Sequence, residues 1–357
     1  DEKLAKKLAA YKASLSEEEL EKLVTATREL KEYQDTPSSQ EDLEKIPMLE
    51  LSDIKREPAK DYNDVKSVDG IKIVHHNIFT NKIAYINMSF DTKCVPDELI
   101  PYMGLLGSTL SLMDTKNYTY PELTNEININ CGGLATGTAL YSDKVDFSKN
   151  TIVYEVKSKA LYEKVPFVLG MMEEIMYNTR FDDYKRLKEI IARIKSRLEA
   201  SLMGQGHSIA MLECCAQFSE SAYYSDILRG YKYYEFIKKL DEEFEQNKTQ
   251  IVDKLNKLVG YIFNKDNVIV SLTADDEGYD CFVKALSAKS CNIKDEHFNT
   301  AVRSFIPVNV KTGYTSASQV QYVARCGNFV KDGYKYTGAL KVLKVIFSYD
   351  YLWINVR

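Results

Sequence analysis

The 357-residue chain is poor in several residue types that chemistry usually needs. It has four histidines, one tryptophan and eight prolines, and its formal net charge is −5. An acidic balance of this kind excludes an electrostatic grip on nucleic acid or on anionic lipid. No apolar run approaches the roughly 18 residues that a membrane-crossing helix requires. The charged opening from Asp1 to Lys7 has no signal-peptide core. The chain also begins without methionine, so a processed or excised product is expected, with any targeting segment removed together with whatever preceded it. None of its seven cysteines forms a C-x-x-C pair. Scattered structural thiols point to a reducing compartment, a bacterial cytoplasm or an organelle interior, with the location itself unassigned.

What is present is enough apolar material for a sizeable core: 45% hydrophobic against 28% charged residues. The first ~55 residues read as helices. Leu4, Leu8 and Tyr11 share one helical face. Ser16-Glu17-Glu18-Glu19 has the spacing in which a hydroxyl caps a free amide and Glu19 reaches back. Pro47 closes a third, short helix. From about residue 67 the pattern turns to mixed strands and helices. Residues 71–75 and 82–91 read as strands, the second alternating Ala84, Ile86, Met88 and Phe90 with polar neighbours. Helices are expected over 97–113 and from Pro121 to the Cys131-Gly132-Gly133 terminus, then strands at 134–142 and 151–157. Further helices follow at about 160–178, 182–203, 207–219, 233–241, 246–263 and 275–288, with a strand at 268–273. The strand–loop–helix passage of 82–113 is echoed at 318–353, with Gln319 to Phe329 as the strand. That echo predicts one complete domain and the truncated start of its duplicate.

Four sets of residues invite a chemical reading, and a plainer one is preferred for the first three. His75 and His76 are neighbours on a strand and point to opposite faces, so they do not share a metal ion. His207 lies about two helical turns from Cys214 and Cys215, too far for a thiol–imidazole couple. Gly204-Gln205-Gly206 follows a helix, not a strand, and reads as a helix end, not a phosphate loop. The tyrosines 223, 224, 231, 233 and 234 suit a peptide-binding wall and helix–helix packing equally. There is also no nucleophile elbow of an α/β hydrolase.

Several stretches together resemble the presequence-protease type of insulinase-family zinc peptidase. Leu49-Glu50-Leu51-Ser52-Asp53-Ile54 resembles the exit of that family's connecting helical hairpin. His75-His76-Asn77-Ile78-Phe79-Thr80-Asn81-Lys82 resembles the opening of its third domain. Arg180-Phe181-Asp182-Asp183 and Gly206-His207-Ser208 match its long-helix region, and Tyr336-Thr337-Gly338-Ala339-Leu340 with Tyr349-Asp350-Tyr351-Leu352-Trp353 resembles the start of the fourth.

The resemblance implies an α+β fold, a largely antiparallel sheet packed by long helices and preceded by a hairpin. Its divisions would be 1–55 (hairpin), 56–290 (third domain) and 291–357 (linker and truncated fourth domain). It implies a parent enzyme that degrades short unstructured peptides in a closed chamber, with zinc held by an H-x-x-E-H motif in the missing N-terminal half. The motif is absent here. Its counterpart would fall on the 97–113 helix at Leu105, Ser108 and Thr109, which supply neither ligand nor carboxylate base. No catalytic or metal-binding residue is therefore expected in this chain. Arg357 alone is implied as a substrate contact. The expected partners are the N-terminal half and peptides, with no nucleic acid or membrane, and self-association through the truncated end. The competing reading is a metal-free binding or scaffold subunit that accompanies a separate active peptidase.

Overall fold

The computed structural model describes residues 2–58, 60, 62–143, 145–146, 149–289, 292–315 and 320–356. It forms two compact units, Asp1–Lys60 and Asp61–Arg357.

The first unit holds α1 (Glu2–Ser14), α2 (Glu17–Asp35) and α3 (Gln40–Glu44), none with a buried residue. The start of α2 follows from its sequence. The Ser16 hydroxyl accepts from the Glu19 amide at 3.3 Å, and the Glu19 carboxylate accepts from the Ser16 amide at 2.9 Å. Two amides that a helix leaves unsatisfied are thereby satisfied reciprocally.

The second unit is built on a six-stranded sheet in the order β1-β2-β6-β3-β5-β4. The strands are β1 (Asp64–Val68), β2 (Ile71–Asn77), β3 (Ile83–Asp91), β4 (Leu134–Ser142), β5 (Asn150–Leu161) and β6 (Val268–Ala274). Among these neighbours only β2 and β6 run parallel; the other pairs are antiparallel. The fold is α+β. Strand β3 buries Ala84, Ile86, Met88 and Phe90 while its other residues are half-buried or exposed, as their alternation dictates. Strand β1 is an addition to the sequence reading. It is joined to β2 through Asp69 and Gly70, both with positive φ (49° and 80°), the tight turn that Asp-Gly favours.

Among the described residues, nine helices of this unit precede residue 290: α4 (Ile100–Thr109), α5 (Tyr120–Asn130), α6 (Val165–Tyr177), α7 (Tyr184–Gly204), α8 (Gly206–Ala216), α9 (Glu220–Arg229), α10 (Tyr231–Glu242), α11 (Phe244–Ile262) and α12 (Asp276–Ser287). The core joins the buried faces of β2, β3, β5 and β6 to apolar stripes such as Leu187, Ile190, Ile191 and Ile194 of α7. The helix expected from about residue 160 begins only at Val165. Strand β5 runs on to Leu161, and a proline in the first turn of α6 fixes its start. Helix α9, absent from the expected set, is capped by Ser219.

The duplicate copy departs from expectation. Residues 318 and 319 lie outside the described ones, and 320–329 pair with no strand. This stretch instead lies along α8, where the Tyr322 ring packs against Gly206 and its hydroxyl donates to the Met203 carbonyl at 3.3 Å. Strand pairing needs a complementary edge, and here side-chain contacts with a helix take its place. The helical half of the echo does form, as α13 (Gly338–Ile346), a π-helical turn (Phe347–Leu352) and α14 (Trp353–Val356), with no buried residue.

Candidate functional site

Helix α4, on which the resemblance would put the counterpart of an inverted zinc motif, is apolar on nearly every side. Ile100, Tyr102, Met103, Leu105, Leu106 and Thr109 are all buried. Two glycines allow this close packing. A Cβ at Gly104 would fall 2.8 Å from the Tyr233 ring and 2.9 Å from the Leu228 carbonyl oxygen. A Cβ at Gly107 would fall 3.1 Å from the Cα of Gly137 on β4. The Thr136 hydroxyl then donates to the Gly107 carbonyl at 3.1 Å, tying helix to strand.

At the three motif positions, Leu105 is an aliphatic core residue, Ser108 donates to the Gly104 carbonyl at 3.4 Å, and Thr109 donates to the Leu106 carbonyl at 3.1 Å. Both hydroxyls are engaged by their own helix. A zinc site of this type needs two imidazoles and a carboxylate, so these residues do not fit the metal. Among the described residues no three His, Cys, Asp or Glu side chains gather as a metal site.

The other singled-out residues are placed as follows. His75 is buried, stacks on Tyr279 at 4.6 Å between ring centroids, and has its Nε2 2.9 Å from the Ala274 carbonyl oxygen. His76 faces the other way, between the Tyr62 carbonyl and the Ser271 hydroxyl, each at 3.0 Å. The His207 ring neighbours Tyr322. Arg357 lies outside the described residues. The tyrosines differ in burial. Tyr224 and Tyr233 are buried, and burial pushes the Tyr224 phenol up to about 12. Tyr223, Tyr231 and Tyr234 are half-buried, with Tyr231 against Tyr314 at 4.0 Å and the Tyr234 hydroxyl donating to Glu199 at 3.3 Å. A cavity of about 290 Å³ lies between α7, α8 and the α9–α10 corner, lined by residues that include Leu198, Leu202, Ile209, Leu212, Arg229 and Tyr234.

Two polar clusters had no signal in the sequence. On the sheet, buried Glu155 accepts from Asn87 at 2.9 Å and Tyr141 at 2.8 Å, and pairs with Lys157 at 2.6 Å. Burial pushes its carboxyl up, but these three partners outweigh burial and hold it below the usual carboxylate range. Between α8 and α9, Glu213 meets the fully buried Asp226. Burial, then the charge of Asp226, raises Glu213, against Lys232 and a hydrogen bond from Tyr314 at 3.3 Å. Asp226 also accepts from the Lys232 amide at 3.2 Å. Glu155 and Asn87, like Glu213 and Asp226, are far apart in sequence, so no local spacing announces them. The first cluster favours an ionised carboxylate and the second a protonated one.

Comparison with known proteins gives a consistent picture. The family model for the domain associated with subfamily C of the pitrilysin-type peptidases matches residues 1–240. The chain is 36% identical over 354 residues to Protein HypA of Clostridium perfringens, covering 99% of this chain and 36% of that protein. It is 28% identical over 354 residues to Presequence protease 1, chloroplastic/mitochondrial, of Arabidopsis thaliana, covering 98% and 32%. Against the mitochondrial presequence protease of Yarrowia lipolytica it is 26% identical over 364 residues, covering 100% and 36%. The chain thus spans about a third of the length of these relatives.

Proposed function

Because the chain belongs to the family of domains associated with subfamily C of the pitrilysin-type peptidases, we propose that it is the non-catalytic, C-terminal part of a zinc-dependent metallopeptidase that degrades short unstructured peptides in a closed chamber. In this reading residues 1–55 are the hairpin that joins two halves, 56–290 the third domain, and 291–357 a linker and the start of the fourth. The zinc belongs to the N-terminal half, and this chain supplies chamber wall and substrate contacts, with Arg357 offering a guanidinium to a peptide carbonyl.

The observation that supports this reading is the donor-free state of α4, where the family resemblance would put the motif's counterpart at Leu105, Ser108 and Thr109, in a chain of which 98% aligns with a presequence protease. A buried helix that offers only aliphatic and hydroxyl groups at these positions fits a wall better than an active centre. The test is reconstitution. The chain alone should neither cleave unstructured peptides nor bind stoichiometric zinc, and adding the N-terminal half of its parent should give zinc-dependent cleavage. Zinc-dependent cleavage by this chain alone would overturn the proposal.

A second reading, a metal-free scaffold subunit that partners a separate peptidase, draws on the same donor-free α4. The coding region upstream of Asp1 separates the two: an in-frame H-x-x-E-H favours one long enzyme. The apolar residues of 338–356 are proposed to drive self-association. Val345, Phe347, Trp353 and Ile354 are each about half or more exposed, at 56%, 50%, 56% and 69%.

A further inference from the structure

Three thiols lie on or beside α8. Cys326, on the stretch that lies along this helix, places its Sγ 3.7 Å from the Met211 carbonyl oxygen. Cys214 and Cys215 are one turn further along α8 from Met211, near enough for their thiols and that of Cys326 to influence one another electrostatically. Tyr322, fixed by Gly206 and the Met203 carbonyl, sets this approach. All three cysteines are half-buried and free. Elsewhere, Cys94 and Cys131 give their thiols to the carbonyls of Tyr261 and Ile127.

Cys214 and Cys215 are successive residues of a helix, so their side chains diverge by about 100°. They cannot close on each other without unwinding α8. Cys326 is the partner common to both.

We propose that Cys326 is a thiol–disulfide exchange site that bonds to Cys214 or Cys215 when the chain meets a low-molecular-weight disulfide, clipping 320–329 to α8. One protein thiolate attacks the small disulfide, RSSR. That S–S bond breaks, RS⁻ leaves, and a mixed disulfide forms. The neighbouring thiol loses its proton, attacks the protein sulfur of the mixed disulfide and expels the second RS⁻. Two protein thiols are oxidised by two electrons, RSSR is reduced to two RSH, and the two protons end on them. Burial raises the thiols of Cys214 and Cys326, so the thiolate is scarce at neutral pH and the exchange speeds up as pH rises.

The experiment incubates the full chain with oxidised glutathione at alkaline pH, alkylates the remaining thiols and digests with trypsin without reduction. The expected result is the loss of two free thiols per chain. A reducible cross-link should join the peptide 326–331 to the peptide 198–229 within monomeric protein. It should be absent from C326S, whose circular dichroism should match that of the unsubstituted chain. The proposal is overturned by glutathione adducts without a cross-link or by no reaction. It is equally overturned by a bond from Cys326 to another cysteine or another chain, or by a cross-link forming as fast in urea-unfolded protein, since the fold would then not bring the thiols together.

Discussion

At the scale of residues, Glu155 and Glu213 illustrate how neighbours decide the fate of a carboxylate withdrawn from water. Glu155 is held below its ordinary 4.5, so its contribution is present above that value and is lost as pH falls through the lower folded one. Glu213 is held above 4.5, so its contribution is present below that value and is lost as pH rises through the higher folded one. Urea unfolding across pH 4–8 should therefore show E155Q losing about 1–3 kcal/mol at pH 7, with a flatter acid limb. E213Q should instead flatten the neutral side, its stability relative to the parent chain improving as pH rises. A steeper acid limb in E155Q would contradict the assignment. Gly104 gives a steric test. The Cβ of G104A meets the Leu228 backbone, which cannot swing aside, and the cost should be about 1–3 kcal/mol in the same assay.

The residue scale is also where the sequence was least informative. The helix carrying Leu105, Ser108 and Thr109 was legible from its apolar spacing. Glu213 with Asp226 and Glu155 with Asn87 were not legible, because those contacts are made by tertiary packing and leave no local period. The tyrosines were half legible. Helical spacing marked them as a cluster, but only the packing of α10 on α4 separates inward Tyr233 from half-buried Tyr234.

At the scale of elements, the strongest local signals produced the structure they imply. Ser16 and Glu19 start α2, and the alternation of β3 sets its buried face. Unit Asp1–Lys60 buries no residue in these helices, so capping carries a large share of α2 stability. S16A should lower it by about 1 kcal/mol and reduce the helical ellipticity of the chain, with S16D restoring it. An unchanged signal in S16A would mean that the cap does not limit the helix. Strand β1 was missed although Asp69-Gly70 is a recognisable hairpin turn, because the preceding five residues are mostly polar. The strand expected at 319–329 failed for the opposite reason. Its alternation is real, but a strand is a relation between two segments, and a period in one of them does not supply the other.

At the scale of the whole molecule, the apolar stretch 338–356 should make the mass of the chain depend on concentration. Sedimentation equilibrium should show association that increases with concentration, and the double substitution V345D/I346D should shift it toward monomer. A monomer at all concentrations, unaltered by the substitution, would remove the stretch as the cause.

The placement of β6 governs how the larger unit comes into being. Strands β2 and β3 are nearly consecutive in the chain, yet they do not touch, because Val268–Ala274 lies between them. A nascent chain emerging from the ribosome must keep that slot open until about 180 more residues have been made. Over that interval the facing edges of β2 and β3 are a trap for premature hairpin closure, and rapid synthesis or a holding chaperone would favour correct insertion of the last strand.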